Sequence, residues 1–153
     1  MTFAEDMSYN HGPLISKNTF EEFMLPYYKE IIPVVKENDT ISFIDTDGNP
    51  ESLLSWFIDI GIEGFLPMER QAGTDIVKYR ERYPKLKIIG AFDKTIMNKS
   101  EDIVKEEFER LLPVMKQGGY VLGIDHQTPP GVSLKEYKIY LKLLREYAVA
   151  AMK

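Results

Sequence analysis

Ile41-Ser42-Phe43-Ile44-Asp45-Thr46-Asp47-Gly48-Asn49-Pro50 is a compact apolar run that stops on two carboxylates and turns at Gly48. A helical pattern over Ser52–Ile60 follows at once. Strand, acidic stop, turn and helix make one βα unit, and the chain repeats that unit. Other apolar runs stop at Glu5-Asp6, Pro67-Met68-Glu69, Phe92-Asp93 and Ile124-Asp125-His126, each followed by a turn and a helical pattern. Strands joined by helices require a parallel sheet with right-handed crossovers. The runs lack period-two alternation, as expected of strands covered on both faces. The C-terminal ends of parallel strands share one rim, where chemistry sits. Acidic stops spread over about 120 positions are therefore expected to converge on one cleft.

The remaining elements follow from this frame. Thr2–Glu5 reads as a short strand. Phe20, Phe23, Met24, Tyr27, Ile31, Val34 and Val35 recur at helical spacing behind the candidate caps Ser16 and Thr19, and Pro26 predicts a kink or break. Gly64–Leu66 is a strand, and Thr74 or Asp75 caps a helix running to Tyr83. Leu86–Ile89 is the next strand. Ile103 to Met115 marks a longer helix, expected to be interrupted at Pro113 and stopped by Gly118-Gly119. Tyr120–Ile124 is the last strand, and Ser133 caps the final helix. The reading is a single α/β domain over residues 1–153 with about five parallel βα units. An open doubly wound sheet and part of a (β/α)8 barrel both fit, although a full barrel takes about 250 residues. The abrupt start on a strand predicts an N-terminally incomplete piece of something larger.

Composition narrows the chemistry. An apolar fraction of 44% and a charged fraction of 28% are those of a globular protein. No apolar run approaches the roughly 20 residues that span a bilayer, and no signal peptide is visible, so a cytoplasmic protein without membrane contact is expected. A net charge of -5 without a basic, aromatic-laced stripe argues against nucleic-acid binding. The chain has no cysteine, so a metal would need Asp, Glu, His or carbonyl oxygen. No phosphate-binding glycine motif is present.

Asp45 and Asp47, one residue apart at a strand end, are candidate cation ligands with His126, and Asp45 and His126 are candidate catalytic groups. The same letters also make an ordinary turn and helix cap. His126, beside Asp125, is a candidate proton donor or metal ligand. Glu5 and Asp6 are further catalytic candidates, and Asp125, Glu69, Asp93 and His11 are candidate substrate contacts. Glu69 with Arg70 and Asp93 with Lys94 read equally well as exposed ion pairs worth about 0–1 kcal/mol. Tyr27, Tyr28, Tyr137, Tyr140 and Tyr147 read as helix packing, and Glu101–Glu109 as a solvated helix face with pairs such as Glu101–Lys105.

Glu5-Asp6-Met7-Ser8-Tyr9, Gly12-Pro13-Leu14-Ile15-Ser16, Phe23 to Lys29, Asp45 to Asn49, Gly90-Ala91-Phe92-Asp93-Lys94, Gly118-Gly119-Tyr120 and Asp125 to Pro130 with Val132-Ser133 follow one another along the chain, and in that order they resemble the uroporphyrinogen decarboxylase superfamily. The resemblance implies a (β/α)8 barrel, of which this chain would supply about the last five units. One branch of that superfamily decarboxylates the acetate groups of uroporphyrinogen without a cofactor, in porphyrin (heme) biosynthesis. Another exchanges methyl groups between a small substrate and a corrinoid protein, often with zinc.

Departures from both patterns are visible. The arginine-rich segment and aspartate of true decarboxylases are missing, and their Asp-Ser-Trp-Ala-Gly-like stretch reads Asp6-Met7-Ser8-Tyr9-Asn10 here. Their last strand ends Gly-His, whereas here Ile124 follows Gly123 and the imidazole comes at His126. The zinc enzymes place His-x-Cys-Gly at Asp45-Thr46-Asp47-Gly48 and a second cysteine near Ile124-Asp125, so both thiolates are absent. The resemblance leans to the methyl-transfer branch, with zinc or another divalent metal, a small-molecule substrate and a corrinoid-carrying partner. Decarboxylation and a non-catalytic remnant or assembly module are the alternatives. Half a barrel also predicts self-association or a second chain supplying the missing strands.

Overall fold

The computed structural model describes residues 1–153. Five parallel strands form the sheet: β1 (Thr2–Ala4), β4 (Phe43–Asp45), β5 (Gly64–Leu66), β6 (Lys87–Phe92) and β7 (Tyr120–Ile124). A two-stranded hairpin, β2 (Ser8–Tyr9) and β3 (Gly12–Pro13), fills the loop after β1 and was not expected from the sequence. Six helices complete the fold: α1 (Lys17–Phe23), α2 (Leu25–Glu37), α3 (Glu51–Ile58), α4 (Ile76–Arg82), α5 (Glu101–Lys116) and α6 (Leu134–Ala151).

The sheet order β1-β4-β5-β6-β7 decides between the two architectures. Each strand adds beside its predecessor in one constant direction. Right-handed crossovers then place every helix on the same face. A doubly wound sheet would reverse direction midway and cover both faces. The fold is therefore a partial (β/α)8 barrel wall, with β1 and β7 as its edges.

Register fixes which side chains meet the helices. Phe3, Ile44, Phe65 and Ile88 lie opposite one another across four strands. They face the helices: Phe3 packs edge-on against Tyr28, and Phe65 against Phe57. A second aromatic group, Phe92, Phe108 and Tyr140, ties β6 to α5 and α6. The opposite face is only partly covered, and Val121 is 62% exposed, so the strands are not buried on both faces as expected.

Local chemistry sets the helix ends. Ser16 caps α1 by accepting from Thr19 N at 3.1 Å, Asp75 caps α4, and Ser133 with Glu136 forms a capping box on α6. Pro26 lies in the first turn of α2, where its missing N–H costs nothing, and the expected break falls at Met24. Pro113 does not interrupt α5, which runs unbroken from Glu101 to Lys116. The ring sits on the exposed face, while buried Leu111 and Val114 anchor the turns either side of it.

The Glu101–Glu109 run is not wholly solvated. Glu107 is buried and pairs with Arg110 at 2.7 Å, and Glu101 bonds Lys142 of α6 rather than Lys105. Tyr27 is exposed rather than packed, and with Phe23, Ile31 and Val34 it leaves an apolar stripe along α1 and α2 beside the β1 edge. No helix is long and apolar enough to cross a membrane.

Candidate functional site

Asp45 closes β4, and the alternation that turns Ile44 toward the helices turns Asp45 and Asp47 to the inner side of the rim. The loop between them is pinned from below. Thr46 is buried, and its Oγ1 accepts the Ser8 amide at 3.1 Å and shares a hydrogen bond with Ser8 Oγ at 2.9 Å. Ser8 Oγ donates onward to the Asp47 carbonyl at 2.6 Å. Gly48, at φ +74°, lets the backbone of Tyr9 press against it, and Asn49 N donates to the Tyr9 carbonyl at 3.0 Å.

Glu69 enters from the β5 end. Its carboxylate accepts Gly48 N at 2.9 Å and Lys94 Nζ at 2.7 Å. His126 comes from the β7 end, with Nε2 3.6 Å from Asp47 Oδ1. One donor atom from each of Asp47, Glu69 and His126 lies within 4.8 Å of the others. These residues, with Tyr9, Asn10, His11 and Lys94, line an open cleft of about 770 Å³. A smaller recess of about 310 Å³ beside it is lined by Asp6, Asp45, Asp47 and His126.

The rim thus brings together most of the expected residues, with a change of partners. Glu69, not Asp45, completes the close triad with Asp47 and His126; Asp45 stands beside it with Asp6. Three other candidates lie elsewhere. Glu5 turns to the helix side, where its carboxylate accepts the Tyr28 hydroxyl. Asp93 caps the short turn Lys94–Ile96, accepting Thr95 N at 2.8 Å. Asp125 is fully buried; one oxygen accepts Arg70 N at 2.7 Å and the other Lys94 N at 3.1 Å. It joins the ends of three strands and leaves the cleft to His126. Lys94 as the partner of Glu69, and the Ser8–Thr46 pin, were not foreseen.

Electrostatics divides the carboxylates. Burial raises the Asp45 carboxyl above its ordinary value, and the Asp6 and Asp47 carboxylates push it further. Burial and then Glu69 raise Asp47. Burial also acts to raise Glu69, but the Lys94 ammonium and the Gly48 amide outweigh it and hold Glu69 below the usual range. Burial raises Asp125 against its two backbone donors. Two carboxyls that take up protons readily beside one that stays ionised form an acid–base arrangement.

The same crowding predicts a pH effect. A carboxyl raised in the folded state favours folding below its unfolded pKa, and that advantage is lost as pH rises through the folded value. Asp45→Asn removes the repulsion, so its melting temperature should exceed the parent's at pH 7. The gain should vanish in a pH series below about 4, where Asp45 is already protonated.

A family model described as uroporphyrinogen decarboxylase (URO-D) matches residues 4–147. Among similar proteins, the uroporphyrinogen decarboxylase of Synechocystis sp. is 23% identical over 142 residues, covering 86% of this chain and 37% of its own length. That of Chlorobium phaeobacteroides is 27% identical over 143 residues, covering 88% and 39%. That of Chlorobium limicola is 26% identical over 138 residues, covering 86% and 38%. The chain therefore spans less than two-fifths of the length of these relatives.

Proposed function

The chain belongs to the uroporphyrinogen decarboxylase family, and on that premise we propose that its acidic rim serves the methyl-transfer chemistry of the wider superfamily. In this reading a methyl group is exchanged between a small substrate and a corrinoid carried by a partner protein. Further strands would complete the barrel wall.

The observation that carries this reading is the close approach of Asp47, Glu69 and His126. Two oxygens and one imidazole nitrogen suit zinc or another borderline divalent cation, and three protein ligands leave a position open. The fit has one competitor, since the Lys94 ammonium already bonds Glu69 at 2.7 Å. A bound cation would act as a Lewis acid on the leaving or attacking atom. The protein's own part is clearer. Glu69 stays ionised, Asp45 exchanges a proton with the substrate's polar groups, and Lys94 would have to release Glu69 to a cation. Asp6, Asp45, Asp47 and Glu69 outnumber Lys94 around the cleft, and this excess repels an acetate-bearing macrocycle while favouring a cationic or metal-bound substrate.

Metal uptake is the test. Dialysis against zinc should leave about one bound equivalent, and cobalt should give a visible ligand-field spectrum. His126→Ala and Glu69→Gln should lose both signals, and Lys94→Met should tighten binding about tenfold or more by removing the competing charge. A protein that stays metal-free after this treatment overturns the metal-assisted reading.

A second reading, decarboxylation of uroporphyrinogen, is favoured by the names of the relatives above. It would use no cofactor, with Asp47 or Asp45 stabilising a protonated pyrrole. Release of carbon dioxide from uroporphyrinogen, by this chain alone or with its complementing strands, would decide for it. The third alternative, a non-catalytic assembly module, is left if neither activity nor metal uptake is found.

A further inference from the structure

The opposite end of the sheet holds a second cavity, about 840 Å³, formed by the loops that enter β5, β6 and β7. Its charged lining is Lys36, Arg80, Arg82, Lys85 and Lys87 against one carboxylate, Glu63. This concentration of positive charge sits in a chain whose net charge is -5.

Arg80 is the built part of the site. Arg80 is only 4% exposed. Its guanidinium is fixed by the carbonyls of Leu86 at 2.7 Å and Gly118 at 2.8 Å and by Gln117 Oε1 at 3.3 Å. All three acceptors are neutral, so the buried charge has no counter-ion. A guanidinium carries five N–H donors, and these bonds use three of them. Gly119, at φ +64°, lets the backbone lie close to this group: a Cβ there would sit 3.2 Å from Arg80 Nη2. Glu63 is committed to Lys87, and Lys36, Arg82 and Lys85 have no ion-pair partner in the protein.

Part of this charge offsets helix ends. The C-termini of α2, α3, α4 and α5 point toward this side, each equivalent to about half a negative charge. Four such ends together with Glu63 leave the five cations in excess. A buried arginine held by neutral acceptors, with Lys36, Arg82 and Lys85 around it and no carboxylate partner, in a cavity of ligand size, is an arrangement for a multivalent anion.

We propose that this cavity binds a phosphate or pyrophosphate group, with Arg80 as the fixed donor and Lys36, Arg82 and Lys85 closing around it. The proposal is independent of the chemistry assigned to the acidic cleft.

Titration of the full chain with sodium pyrophosphate and with inorganic phosphate, followed by calorimetry and amide chemical shifts, tests it. Saturable one-to-one binding is expected, with shifts at Gly118 and Gly119 and weakening as salt rises. Arg82→Gln and Lys85→Gln lie on the exposed rim and should fold normally. Each should weaken pyrophosphate about fivefold to tenfold, and the double variant should abolish measurable binding. Lys135→Gln, on α6 and outside the cavity, should change nothing. No saturation up to about 10 mM, unchanged affinity in the double variant, or tighter binding of citrate than of pyrophosphate would each overturn the assignment. In the first two cases the cations serve only the helix ends.

Discussion

Replacing Asp125 by alanine should destabilise the protein by about 3–5 kcal/mol. The carboxylate is fully buried and accepts from the backbone of Arg70 and Lys94, which lie just beyond β5 and β6. The Asp125 amide donates to the Phe92 carbonyl at 2.8 Å. One side chain thus fastens three strand ends, and its removal orphans two part-buried N–H groups. Asp125→Asn keeps one acceptor and should cost about half as much. Urea denaturation of parent, Asn and Ala variants measures the series. Equal midpoints for all three would show that solvent already reaches these amides.

Gly48→Ala should follow closely, with a loss of about 2–4 kcal/mol. The residue has φ +74°, which a side chain strains, and a Cβ there would sit 2.6 Å from the Tyr9 carbonyl oxygen. The neighbour is backbone and cannot swing aside, so the hairpin β2–β3 must lift. Gly48 N also donates to Glu69, so the shift would reach the carboxylate triad. Reduced stability should therefore come with weaker cation uptake, whereas Asp125→Asn should lower stability with little change at His126. Cation affinity set against unfolding free energy separates the two. A Gly48→Ala protein with parental stability would mean that Tyr9 is not held where the structure places it.

Much of the frame could be read from the residues. Gly64–Leu66 and Tyr120–Ile124 are strands as expected, because glycines bound short apolar runs on their entry sides. Asp75 and Ser133 cap their helices because each has a free amide two or three residues on. Pro113 misled because sequence shows the missing donor but not the packing of Leu111 and Val114 that overrides it. The hairpin after β1 escaped notice because its strands have two residues each and no alternation to detect.

The site divides similarly. Asp47, Glu69 and His126 were visible as strand-end residues, but which two joined Asp47 depended on loop geometry. Glu5 was misplaced for a reason legible in hindsight. Phe3 faces the helices, and a side chain two residues along a strand faces the same way. Asp125 and His126 are neighbours with opposite fates, one buried under the rim and one exposed on it. Lys94 lies 25 residues from Glu69, and Ser8 lies 38 from Thr46, so neither contact has a local signature.

The two uncovered sheet edges are not equivalent. In a parallel sheet β1 and β7 offer different hydrogen-bonding patterns along opposite sides, and only β1 has the apolar stripe of Phe23, Tyr27, Ile31 and Val34 beside it. A parallel strand seated beyond β1 would therefore gain an apolar bed that one seated beyond β7 would not.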